Sequence, residues 1–188
     1  VTHTRIHADG VTRCSWVTDD EIYIRYHDNE WGQEGRGQKE LFEAICLEGF
    51  QAGLSWITIL KRREGFRRAF ENFDIKKVAK FDANKIEDLM LNPEIIRNRA
   101  KIVSAINNAN LVLDQDIDLT SLIWSFAPET RQTPESNFTW VATSEESIAL
   151  SKALRKLGFS FVGPTTMYAL MQSSGLVKDH APGCFRRD

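Results

Sequence analysis

Through most of this chain the apolar residues recur at spacings of three and four, and almost nowhere do they alternate. Leu41, Phe42, Ile45, Cys46 and Gly49 form one such stripe, starting from about Lys39. That period is the mark of an amphipathic helix. Gly49 and Gly53 are expected to interrupt the segment, with a second helix from Ser55 through Trp56, Ile59 and Leu60. Asp74 and Asp82 are candidate N-caps of two short helices. Between Pro93 and Leu113 the spacing predicts a long helix with Ile95, Ile102, Ile106, Ala109 and Leu113 on one face. A short apolar helix is expected over 119–126, and 127–142 reads as an exposed loop. Thr143-Ser144-Glu145-Glu146 fits a capping box, opening a helix that Gly158 stops. A last helix follows Pro164 and ends near Gly175. Phe159–Val162 is the one strand-like stretch. The fold class is therefore all-α: a flexible lead-in over 1–12, then a single domain over 13–188.

Composition narrows the setting. No apolar run approaches the roughly 18–20 residues that span a bilayer, so no membrane role is expected. The polar start, Val1-Thr2-His3-Thr4-Arg5, lacks the apolar core of a signal peptide. Three cysteines cannot all pair within one chain, which fits a reducing, cytoplasmic protein. The formal net charge of -2 gives no bulk sign of nucleic-acid binding.

Four residues at opposite ends offer metal ligands: Cys14 and His27, then His180 and Cys184. Two thiolates and two imidazoles complete a closed, structural tetrahedral zinc site. The long gap between the pairs leaves open that the thiols are incidental and the histidines serve only as hydrogen-bonding groups. Tyr23 to Gly32 gathers two Tyr, a His, a Trp and two acids with little apolar filler. Such a stretch suits a pocket surface better than a core helix. Glu48 lies in a largely apolar stretch, so it is either a solvated helix-end carboxylate or a recognition group in a pocket. Trp56 could share that pocket, whereas Trp124 and Trp140 could be core or loop anchors. Two basic clusters, Arg97-Asn98-Arg99-Ala100-Lys101 and Lys61-Arg62-Arg63 with Arg67-Arg68, are either phosphate contacts or solvated faces.

Arg13-Cys14-Ser15-Trp16-Val17 and Tyr26-His27-Asp28-Asn29-Glu30-Trp31-Gly32 resemble the opening of the DNA-3-methyladenine glycosylase I family. The likeness continues through Cys46-Leu47-Glu48-Gly49 and Gln51-Ala52-Gly53-Leu54-Ser55-Trp56. It resumes at Ile95-Ile96-Arg97-Asn98-Arg99, Phe161-Val162-Gly163-Pro164-Thr165 and Asp179-His180, covering about 13–184. The resemblance implies an all-α helix-hairpin-helix glycosylase domain, with one structural zinc held by Cys14, His27, His180 and Cys184 in a clasp joining the chain ends. It implies a monomer that flips 3-methyladenine out of damaged double-stranded DNA and hydrolyses its glycosidic bond. The free base and an abasic site would be the products. Glu48 would be the catalytic and base-recognising carboxylate, and Tyr26, Trp56, Trp16 and Trp31 the aromatic lining. Arg97, Arg99, Lys101, Gly53 and Leu54 would meet the DNA. Asn92-Pro93-Glu94 occupies the expected hairpin turn and sets a negative charge near the phosphate. A non-catalytic reader of damaged bases and a zinc-stabilised protein acting on free nucleobases are the alternatives.

Overall fold

The first ordered unit in the computed structural model is a hairpin, where the sequence suggested a flexible lead-in. The structure describes residues 2–187. Strands β1 (Thr4–Ile6) and β2 (Thr12–Cys14) pair antiparallel, with Thr4 opposite Cys14. Their turn is built by Asp9-Gly10: Gly10 takes φ +78°, and the Asp9 carboxylate accepts from Val11 N at 3.0 Å. Asp-Gly is a hairpin signal. It escapes a search for alternation because each strand has only three residues. The fold is thus mostly helical rather than purely so.

Ten α-helices follow among the described residues: α1 Glu21–Asn29, α2 Gln38–Gln51, α3 Trp56–Leu60, α4 Arg63–Ala69, α5 Ile75–Val78, α6 Ala83–Leu91, α7 Arg99–Asp114, α8 Leu119–Trp124, α9 Glu145–Lys156 and α10 Pro164–Ser173. Asp74 and Asp82 cap α5 and α6 as expected, each accepting from a first-turn amide. Two starts move. Helix α7 begins at Arg99 because the Asn98 side chain caps it, so Ile95 lies in the preceding turn, though buried. The capping box of α9 is Ser144 with Ser147, not Thr143 with Glu146. Gly158 (φ +103°) stops α9 as predicted, and Pro164 opens α10.

Helix α2 does not break at Gly49. A Cβ there would meet Phe161 Cβ at 3.3 Å, so the glycine lets the α9–α10 connection pack against the helix. The break comes at Gly53, where φ is +83°, a conformation that favours glycine.

Two apolar clusters form. The larger is built on Leu41, Phe42, Phe50, Phe66, Phe70 and Phe73 together with α7, α9 and α10. The smaller joins Cys14, Val17, Tyr26, Trp31, Leu60, Phe138, Ala181 and Cys184. Trp56 packs against both. No helix among the described residues is long and apolar enough to cross a membrane.

Candidate active site

The seam between the two clusters opens into a cavity of about 350 Å³. Helix α1, capped by the Asp20 carboxylate, turns Tyr23 and Tyr26 toward it. Trp16 comes from the segment after β2, Trp31 from the end of α1, and Trp56 from the first turn of α3. Trp16 sits edge-on to Trp31 with ring centroids 5.0 Å apart, and Tyr26 lies 5.6 Å from Trp56. The structure therefore brings the four expected aromatics together around one space.

Glu48 borders the same space and is only 4% exposed. It rides on the buried face of α2 beside Leu47 and Gly49. Burial raises its carboxyl from the ordinary 4.5 to about 8, only partly opposed by a hydrogen bond from Ser173. No Lys or Arg pairs with it among the described residues. Burial and the nearby Glu48 also push the Tyr26 hydroxyl well above its usual value. A carboxylate held in an aromatic box without a cation is a receptor for a flat, positively charged ligand.

The turn after α2 is held by Lys101, whose Nζ donates to Phe50 O at 2.9 Å and Ala52 O at 2.6 Å. An ammonium there satisfies carbonyls at the negative end of the helix. Lys101 is buried, so the expectation that it contacts DNA is corrected: its charge faces inward. The Gly53-Leu54 turn that it braces projects outward, and Leu54 is exposed.

Most other basic candidates are already neutralised. Arg99 forms a fork with Glu87 at 2.7 and 2.8 Å. Lys61 pairs with Asp20, Arg63 with Glu30, Arg67 with Glu43 and Glu64, and Arg68 with Glu94. Arg97 is exposed and has no carboxylate partner among the described residues. The Glu94 charge at the 92–98 turn is likewise taken by Arg68. The connection 157–163 between α9 and α10 ends on Gly163, with no side chain capping the first amides of α10.

The four metal-ligand candidates converge. Cys14, His27, His180 and Cys184 are all buried, with donor atoms within 4.8 Å of one another. Cys184 Sγ lies 3.5 Å from His27 Nε2 and 3.6 Å from His180 Nδ1; Cys14 Sγ lies 3.8 Å from His180 Nδ1. The outer ring nitrogens have their own partners: His27 Nδ1 meets Asp28 Oδ1 at 2.8 Å, and His180 Nε2 meets Trp31 O at 3.1 Å. Such partners fix each imidazole so that its inner nitrogen offers a lone pair. Burial would raise the Asp28 pKa, but hydrogen bonds from Arg13 and His27 outweigh it and lower it. The two sulfurs oppose each other: Cys14 is pushed up by its contact with Cys184 and by burial, while Cys184 is pulled down. A cation between them would let both ionise. The donor set fits a metal ion.

Four wall residues went unnominated in the sequence: Trp140, Gln51, Ala169 and Gln172. Trp140 stands in the 127–142 loop, which Phe138 buries against the smaller cluster, so the loop is anchored rather than free. Gln172 ends an apolar run, Ala169-Leu170-Met171, one position past the buried Met171, and that polar step was the available signal.

Residues 16–187 match the family model described as methyladenine glycosylase. A relative from Haemophilus influenzae named DNA-3-methyladenine glycosylase is 49% identical over 179 residues, covering 92% of this chain and 96% of its own. One from Escherichia coli K12 named DNA-3-methyladenine glycosylase 1 is 48% identical over 177 residues, covering 92% and 95%. A crystal structure of 3-methyladenine DNA glycosylase I superposes with TM-score 0.89 at 44% identity, covering 94% of this chain and 100% of that one. The Staphylococcus aureus enzyme, solved to show how it recognises 3-methyladenine, gives 0.86 at 32% identity, covering 94% and 96%.

Proposed function

The chain belongs to the methyladenine glycosylase family, and from that premise we propose how its pocket excises alkylated bases from DNA. The substrate is 3-methyladenine. Methylation at N3 leaves the nucleobase positively charged while it is joined to deoxyribose, so its glycosidic bond is already weak. The base must leave the stack to reach the pocket. Tyr26, Trp56, Trp16 and Trp31 then take its cationic face against their rings. Glu48 is mostly protonated in the free pocket near neutral pH and ionises as the cation arrives. Its carboxylate accepts from the base edge and stabilises the departing heterocycle, and water attacks the sugar carbon held in place. The observation that carries this reading is Glu48 itself, buried in an aromatic box with no cation of its own.

The DNA is held by few contacts. Leu54 and Gly53 sit at the outward turn beside the pocket, and Arg97 is an exposed cation without a carboxylate partner among the described residues. The free amides of the α9–α10 connection suit a phosphate better than the 92–98 turn. Arg99 contributes only by exchanging its Glu87 partner for phosphate.

The metal is zinc, one per chain and structural. Cys14, His27, His180 and Cys184 would hold it through two thiolates and two imidazoles, the donor set zinc favours, from S–N separations of 3.5, 3.6 and 3.8 Å. When bound it neutralises two thiolates and ties β2, α1 and the 180–184 segment together, which fixes Tyr26 and Trp31 beside its ligands. We place the protein in the cytoplasm as a monomer.

The test is base release. Methylated duplex DNA incubated with the protein should yield free 3-methyladenine and abasic sites, resolved by chromatography. A stable complex without released base would overturn the catalytic reading.

A further inference from the structure

Gln172, in the wall of the cavity, carries an amide whose orientation is fixed from behind. Its Nε2 donates to Asp179 Oδ2 at 2.9 Å. The Tyr168 hydroxyl donates to the same oxygen at 2.7 Å, and the Trp140 indole donates to the Asp179 backbone oxygen at 3.0 Å. Asp179 is 3% exposed, and no Lys or Arg meets its carboxylate among the described residues. The Asp179 Oδ2 oxygen accepts from both groups, so the amide turns its NH2 toward Asp179. Planarity then sends Oε1 to the opposite side, and no donor among the described residues reaches it. Gln172 Oε1 is therefore free to accept from a group in the cavity.

We propose that Gln172 Oε1 is a fixed acceptor that reads the base edge and selects 6-amino over 6-oxo purines, with Asp179 as its positioning residue. The inference rests on the glycosylase reading and adds its specificity. The exocyclic amine of 3-methyladenine is a donor strengthened by the positive charge. In 3-methylguanine the same position is an oxygen with lone pairs only. An oxygen opposite Gln172 Oε1 would leave two acceptors facing each other in a dry pocket, each without a donor. Glu48 accepts from the same class of donor but meets no comparable clamp. Its carboxyl can also protonate and donate, so it discriminates less. Gln172 is held more firmly: one of its two amide hydrogens is bonded to Asp179, which fixes the end that carries Oε1, and an amide does not titrate in this range.

The experiment measures the release rates of 3-methyladenine and 3-methylguanine from the same methylated duplex DNA. The unaltered protein should favour 3-methyladenine. Gln172→Met and Gln172→Leu should lower the adenine-to-guanine ratio by about ten- to a hundredfold, the value of one hydrogen bond to a charged group. Asp179→Asn should lower it too, because an asparagine amide can donate to Gln172 Oε1 and turn the glutamine over. Tyr168→Phe, which leaves the Asp179–Gln172 bond in place, should keep the ratio. Equal loss of both rates in the Gln172 variants, with the ratio unchanged, would mean a merely structural role and overturn the inference. Release of neither base by the unaltered protein would overturn the glycosylase reading and this inference with it. If Asp179→Asn fails to fold, the two Gln172 variants decide the outcome.

Discussion

Replacing Glu48 with glutamine should make the fold more stable as it removes function. Burial moves the Glu48 carboxyl from 4.5 to about 8. The native state therefore holds this proton more tightly than the unfolded chain does. The associated stability is complete below about pH 4.5 and is lost as pH climbs through 8. At about 1.4 kcal/mol per pH unit, the loss is about 3 kcal/mol by pH 7 and levels off near about 5 kcal/mol above pH 8. Glutamine has nearly the same shape, cannot ionise and escapes the loss. Urea unfolding of both proteins at pH 5.5, 7 and 8.5, with zinc held constant because the thiols also titrate, reads the difference directly. The Gln variant should gain about 1 kcal/mol at the lowest pH, about 3 at neutrality and close to 5 at the highest. Base release should fall across that range. A stability difference that does not change with pH, or a less stable variant at pH 8.5, would refute the picture of Glu48 as a carboxylate stranded until its cation arrives.

Zinc analysis should find one equivalent per chain; Cys184→Ser should lose it and unfold at much lower urea, since metal binding energy is folding energy here. Lys101→Met should destabilise the protein by leaving Phe50 O and Ala52 O without a donor, about 1–3 kcal/mol by urea titration. It should leave the salt dependence of DNA binding unchanged. Arg97→Ala should do the reverse, sparing stability and reducing the slope of log Kd against log salt by about one.

What could be read in the sequence follows from which forces are local. The helix stripes apart from Ile95, which precedes α7, and the exposed Leu113, the Asp74 and Asp82 caps, and the stops at Gly158 and Gly53 are properties of neighbouring residues, and they stand. Gly49 misled because its reason is distant: it makes room for Phe161, which no local pattern reveals. Lys101 misled for a similar cause. A lysine in a basic run reads as a surface cation, and only the three-dimensional path of α2 puts two carbonyls within its reach. The cations of 61–68 looked like a phosphate surface because their carboxylate partners, Asp20, Glu30, Glu43 and Glu94, come largely from other elements. For the aromatic box, the family resemblance nominated Tyr26, Trp31, Trp16 and Trp56, while spacing alone left Glu48 undecided between surface and pocket. Trp140 and Gln172 were missed because they reach the cavity through a loop and a helix with other apparent duties.

The cluster of Cys14, His27, His180 and Cys184 has a consequence for the order in which the molecule can assemble. Cys14 and His180 are separated by 166 positions, and contacts that distant close late in folding because the intervening chain must first be ordered. On the ribosome, Cys14 and His27 emerge early and wait for His180 and Cys184. The larger core around α2 and α7 can form meanwhile, and it already carries Glu48. The opposite wall, with Trp16, Tyr26 and Trp31, can pack against His180 and Cys184 only once those residues have been made. A partly synthesised chain therefore holds the acid without the box that aims it, and nascent protein has no competent site with which to open DNA.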